Sequence, residues 1–186
     1  MQQQYLCNPF PRQYQQQTAY IKKLLMQPEL CSDDCFSAVV EGERLAIPSR
    51  VYHACNKNMF KGLLMLESQI AACFFSRHHN GYVREECLSF LLRPAALPAF
   101  VLPYLLKLAE EYVVELVEML WKHFSLLSIE ALTRFVLDNP KWMPLMYQRC
   151  VSYWNCYYRR QYPHLKDYPG IVIFNELNMI IKKTPD

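Results

Sequence analysis

Two rhythms of apolar and polar positions run along the chain. The stretch DDCFSAVVEGERLAI, 33–47, alternates about Glu41-Gly42-Glu43. This predicts two short strands and a hairpin-like reversal, with Gly42 available for positive φ. Pro48 lacks an amide proton and fits the exit from the second strand. Upstream, Thr18 reads as a cap, and Tyr20, Ile21, Leu24 and Leu25 share one face of a short helix stopped at Pro28. From Ser49 the rhythm turns helical: Val51, Ala54, Cys55, Met59, Phe60, Leu63 and Leu64 recur at three- and four-residue steps. The run SQIAACFF, 68–75, is continuously apolar. It reads as a strand buried on both faces, a pattern that a buried helix shares. RHHNGYV is a turn centred on Asn80-Gly81, with its histidines exposed, and REECLSFLL is a helix ended by Arg93-Pro94.

The second half is more plainly helical. In LPAFVLPYLLKLAEEYVVELVEMLWKHF, residues Phe100, Tyr104, Leu105, Leu108, Tyr112, Leu116, Met119, Leu120 and Phe124 make one apolar face, with Pro103 in a first turn. Ser128 caps a following helix that Asn139-Pro140 breaks, and MPLMYQRCVSYWNCYYRRQY is an aromatic-rich amphipathic helix. PHLKDYPG reads as a loop, and IVIFNELNMII fits a strand or a helix equally.

Composition narrows the class. Of 186 residues, 52% are hydrophobic and 20% charged, enough to bury a core. The net charge of +3, from scattered basic residues, gives no electrostatic case for nucleic acid as the main ligand. No window of about 19 residues is free of both charge and proline, so no membrane span is expected. The Gln-rich opening shows no secretory pattern, and most of the eight cysteines sit in apolar runs. The expectation is a reduced, intracellular protein of cytoplasm or nucleus.

Several segments together resemble a BTB/POZ domain. AYIKKLLMQPELCSDDCFSAVVEGERLAIPSRVYHACNKNMFKGLLM is similar to that family's opening, with Val39-Val40-Glu41-Gly42, Arg50 and NMFKGLL in place. VREECLSFLLRP resembles the helix before the family's Tyr-Thr-Gly corner, where Arg93-Pro94 stands here. AFVLPYLLKLAEEYVVELVEMLWKHF resembles its helix pair, and LSIEALTRFVLDNP…MYQRCVSYW the opening of a BACK extension. The resemblance covers about residues 18–160. It implies an α+β, mostly helical fold, in which a small sheet covered by helices is followed by a helical extension. The expected organisation is a flexible tail over 1–17, a BTB/POZ-like domain over 18–126, and a BACK-like extension with C-terminal tail over 127–186.

The resemblance further implies a protein-interaction adaptor or scaffold, self- or hetero-associating, with no enzymatic activity and no cofactor. BTB adaptors of cullin ubiquitin ligases carry an apolar-x-Glu motif, and Met65-Leu66-Glu67 lies in the corresponding place. Met65 would fill a cullin pocket and Glu67 fix orientation; alternatively Met65 and Leu66 are core and Glu67 a solvated helix end. Downstream, Tyr147, Tyr153, Trp154, Tyr157, Tyr158 and Arg159 form an aromatic–basic cluster. They either pack the last helices or bind a partner, with Arg149, Arg159 and Arg160 on the rim. Other readings are a non-ligase scaffold in a chromatin or germline complex, and a helical nucleic-acid-associated protein. Cys31/Cys35, His78/His79 and Cys150/Cys156 lack the paired doublets of a zinc site. Adjacent carboxylates Asp33-Asp34 and Glu85-Glu86 point apart, and four glycines leave no phosphate cradle. A Cys–His nucleophile pair would need the fold to assemble it.

Overall fold

The computed structural model describes residues 8–25, 31–32, 34–55, 58, 60–94 and 96–183. Helix makes up 63% of it, beside one two-stranded antiparallel sheet among the described residues, an α+β and mostly helical fold. Two compact units divide the chain at Leu91–Leu92. The sequence pattern places a boundary at 126–127 instead. Helices on both sides of that point share one core, which explains the difference.

The first unit begins with α1 (Gln15–Leu25), then β1 (Cys35–Val40) and β2 (Glu43–Pro48). The hairpin follows from the sequence: Glu41 and Gly42 take φ of 51° and 80°, a two-residue reversal whose twist suits the flanking strands. Pairing Phe36 with Ile47 and Ala38 with Leu45 sets one face inward, where Ala38, Val40, Leu45 and Ile47 are buried. Ser37 and Arg44 emerge on the other. Pro48 ends β2 as expected.

The described part of the expected tail is held in place. Phe10 is buried, the Ala46 N–H donates to the Asn8 carbonyl at 3.0 Å, and the Arg12 N–H donates to the Glu43 carboxylate at 3.0 and 3.2 Å. Helix α1 therefore starts at Gln15, and Thr18 is a buried residue inside it rather than its cap. On its expected apolar face Ile21 is buried, but Tyr20 and Leu24 are exposed. Residues 1–7 and the Pro28 stop lie outside the described residues.

Two sequence expectations are overturned between Ser49 and Phe75. No helix runs through the described part of 49–64. Val51 bridges Cys31 on one side and His78 on the other, its N–H donating to the Arg77 carbonyl and its carbonyl accepting from the His79 N–H, both at 3.0 Å. Those backbone partners outweigh the helical spacing of its side chains. The continuous run is helix α2 (Met65–Phe75), buried from Ser68 onward. A helix hydrophobic all round shows no periodicity because every side meets protein. Helix α3 (Gly81–Leu91) packs on α2, and the Asn80 side chain accepts from the Tyr82 N–H at 3.0 Å at its start.

The second unit holds α4 (Leu102–Ala109), α5 (Val114–His123), α6 (Ile129–Asp138), α7 (Trp142–Tyr153) and α8 (Pro169–Lys183). Pro103 lies in the first turn of α4. The apolar face from Phe100 to Phe124 is split across α4 and α5, with Tyr112 exposed at the break. Ser128 caps α6 by accepting from the Ala131 N–H at 3.2 Å. The ambiguous segment from Ile171 is helical and packs against α4, α5, α6 and α7 through Ile171, Ile173 and Leu177. PHLKDYPG contains a short 3-10 turn, Leu165–Asp167, before α8.

Candidate functional site

The apolar-x-Glu triplet occupies the first turn of α2, and no helix precedes it among the described residues. Met65 is 61% exposed and its neighbour Leu64 72%, whereas Leu66 is half-buried. The Glu67 carboxylate turns back to accept from the Leu64 N–H at 2.9 Å. That is half of a capping box, so Glu67 satisfies one of the amides that a helix start leaves unpaired. Of the three residues, Met65 alone stands fully in solvent, and it does so beside Leu64.

The aromatic residues of the second unit do not form one continuous face. After α7 the helix widens into a π-helical turn, Trp154–Tyr158, which breaks the three- and four-residue spacing. Each ring then finds its own neighbour. Tyr147 packs on Phe174 of α8, with ring centroids 4.9 Å apart. The Trp154 Nε1–H donates to the Tyr162 carbonyl at 2.8 Å. The Tyr158 hydroxyl donates to the Tyr112 carbonyl and accepts from the Val114 N–H, tying the π-helical turn to the α4–α5 connection. Tyr153 lies between Tyr112 and Tyr157. Tyr157 itself is 67% exposed.

The basic rim is likewise divided. Arg149 donates to buried Glu110 at 2.9 Å, opposite Lys107, which reaches the other carboxylate oxygen at 2.7 Å. Two cations thus compensate one buried acid at the C-terminal end of α4, a structural role. Arg159 lies over the Trp154 ring at 5.3 Å and donates to Asn155 at 3.3 Å while staying exposed. Tyr157 and Arg159 are what remains outward.

A further constellation lies in the first unit. Cys31 Sγ and His53 Nε2 are 3.7 Å apart, across 22 residues of sequence. The His53 ring is buried, edge-on to Phe74 and Phe75, and its carbonyl is 2.7 Å from His78 Nε2. His78 is buried too, not exposed as the turn suggested; burial lowers its pKa, and His79 stays outside. Burial raises the Cys31 thiol. Sequence reasoning passed over His53, since only the backbone bridges at Val51 bring it to Cys31.

Cys35 is disulfide-bonded, which corrects the expectation of a wholly reduced chain; Cys31, Cys55, Cys73, Cys87, Cys150 and Cys156 are free thiols. Among the described residues no three His, Cys, Asp or Glu side chains gather to hold a metal ion, and no helix is long and apolar enough to cross a membrane. No family model, curated protein or solved structure matches the chain.

Proposed function

We propose that the protein is a protein-interaction module of BTB/POZ type, an adaptor or scaffold that joins one partner through its first unit and another through its second. The observation that carries this reading is the exposed Leu64–Met65 pair. Two large apolar side chains face solvent at the rigid start of a helix whose remaining turns are buried. Apolar anchors presented from a fixed backbone lose little entropy on binding and dominate interface energies. A cullin amino-terminal domain is the partner that the apolar-x-Glu match suggests. Tyr157 and Arg159 supply the aromatic and cationic anchor types on the second unit for a target protein.

Pull-down of a cullin amino-terminal domain tests the first contact. Wild type should be retained, and Met65→Asp should lose retention. Glu67→Gln keeps an oxygen for the α2 cap and removes the charge. It should weaken binding while leaving helical content, read by circular dichroism, unchanged. Absent binding, or binding indifferent to Met65→Asp, defeats the cullin reading. Light scattering at tens of micromolar then decides whether a self-associating scaffold survives it.

A further inference from the structure

We propose that Cys31 and His53 form a thiol-modification site, at which a low-molecular-weight disulfide exchanges onto Cys31 with His53 taking the thiol proton. This site shares no residue with the docking surfaces described above and does not depend on them.

Cys31 and His53 are positioned by backbone rather than by chance contact. Cys31 sits in an antiparallel bridge with Val51, the Ser32 N–H donates to the Arg50 carbonyl at 2.9 Å, and the Arg50 N–H donates to Ser32 Oγ at 3.0 Å. Two residues on, His53 is clamped by Phe74 and Phe75 and by the contact of its carbonyl with His78. The imidazole therefore cannot swing away from the sulfur. Cys31 keeps partial exposure, so a small reagent can reach it, whereas Cys73, Cys87 and Cys150 are buried.

Burial keeps Cys31 in its thiol form at rest. Attack then requires a base at the moment of reaction, and Nε2 lies at 3.7 Å from the sulfur. A thiol of high pKa is also the stronger nucleophile once its proton leaves. In the exchange, the Sγ–H proton passes to His53 Nε2 while sulfur attacks one sulfur of the reagent. A new S–S bond forms to Cys31, and the reagent's own S–S bond breaks. The departing thiolate collects the proton from His53. The reagent disulfide is the oxidant, and one equivalent of small thiol is released.

Oxidised glutathione is the probe, applied to protein purified without reductant so that the Cys35 disulfide stays intact. Timed samples are quenched by acid and mapped by mass spectrometry. In wild type, Cys31 should acquire the mixed disulfide faster than both half-buried Cys55 and exposed Cys156. His53→Gln should slow Cys31 by at least about tenfold, the lower range of base assistance being larger still, and leave Cys156 unchanged. Labelling of Cys73 and Cys87 reports whether the variant is folded. Should it unfold, the wild-type ranking alone decides. Cys31 reacting no faster than Cys55 and Cys156, or a folded His53→Gln with an unaltered Cys31 rate, overturns the proposal.

Discussion

At Gly170, the second residue of α8, the backbone passes so close to its neighbours that a Cβ would lie 2.9 Å from Cys150 Sγ and 3.1 Å from the Ala109 carbonyl. The Tyr168 ring closes the third side at 3.0 Å. None of these three can yield easily, since Cys150 and Tyr168 are buried and Ala109 ends α4. Gly170→Ala is therefore expected to destabilise the protein by about 1–3 kcal/mol, the cost of overpacking a filled core, despite the better helix propensity of alanine. Urea denaturation checks the direction: an unchanged or higher midpoint would mean that α8 shifts freely. Gly42 is small for another reason. A Cβ there meets no atom within 4 Å, but its φ of 80° is one that other residues occupy only under strain. The glycine in VVEGE was legible because turn chemistry is local. Gly170 was not, because its neighbours come from α4 and α7.

Elements were legible where a local signal and the final environment agree. Helix α6 begins where Ser128 says it should, and the hairpin reverses at Glu41–Gly42. Ser128→Ala removes the acceptor for the Ala131 N–H and should cost about 1 kcal/mol, with Ser128→Asp restoring most of it. Thermal melts of the three proteins would measure this, and equal melting points would mean that the cap contributes nothing. Helix α2 shows the opposite case. Its apolar run lacks a polar stripe because α1 and α3 both pack on it, and so it mimics a central strand. Between Ser49 and Leu64 the error is reversed. Val51, Ala54 and Cys55 fit a helical spacing, yet the bridges of Val51 to residues far away in sequence decide the backbone.

For the molecule as a whole, fold class could be read from composition and rhythm, while the candidate sites could be read only in part. Met65 was found by its motif; the Cys31–His53 pair was not, because it depends on a bridge that no local pattern announces. The second unit also carries a collective property. Tyr158, Tyr162 and Tyr168 all have raised pKa values, chiefly through burial; Tyr162, whose hydroxyl donates to Glu118, is pushed up to about 12. In the unfolded chain these phenols ionise near 10. Their contribution to stability is thus fully present below pH 10 and is lost as the pH rises from there towards 12. Melting temperature should fall steeply between pH 10 and 12, and Tyr162→Phe should make that fall shallower. A curve with the same slope for wild type and variant would show that Tyr162 stays accessible to hydroxide.

The widened turn at Trp154–Tyr158 bears on how this chain can vary in length. A π-helical turn accommodates one residue more than the α-helical ladder needs. Deleting a single residue there would let the ladder close in ordinary α form, and everything after it would swing by roughly 100° about the helix axis. Arg159 and Arg160 would then point a quarter-turn or so away from where they point now, with Trp142 to Tyr153 left where they are. A one-codon deletion at this place would re-aim the cationic pair, a far larger change than any single substitution in the segment would bring.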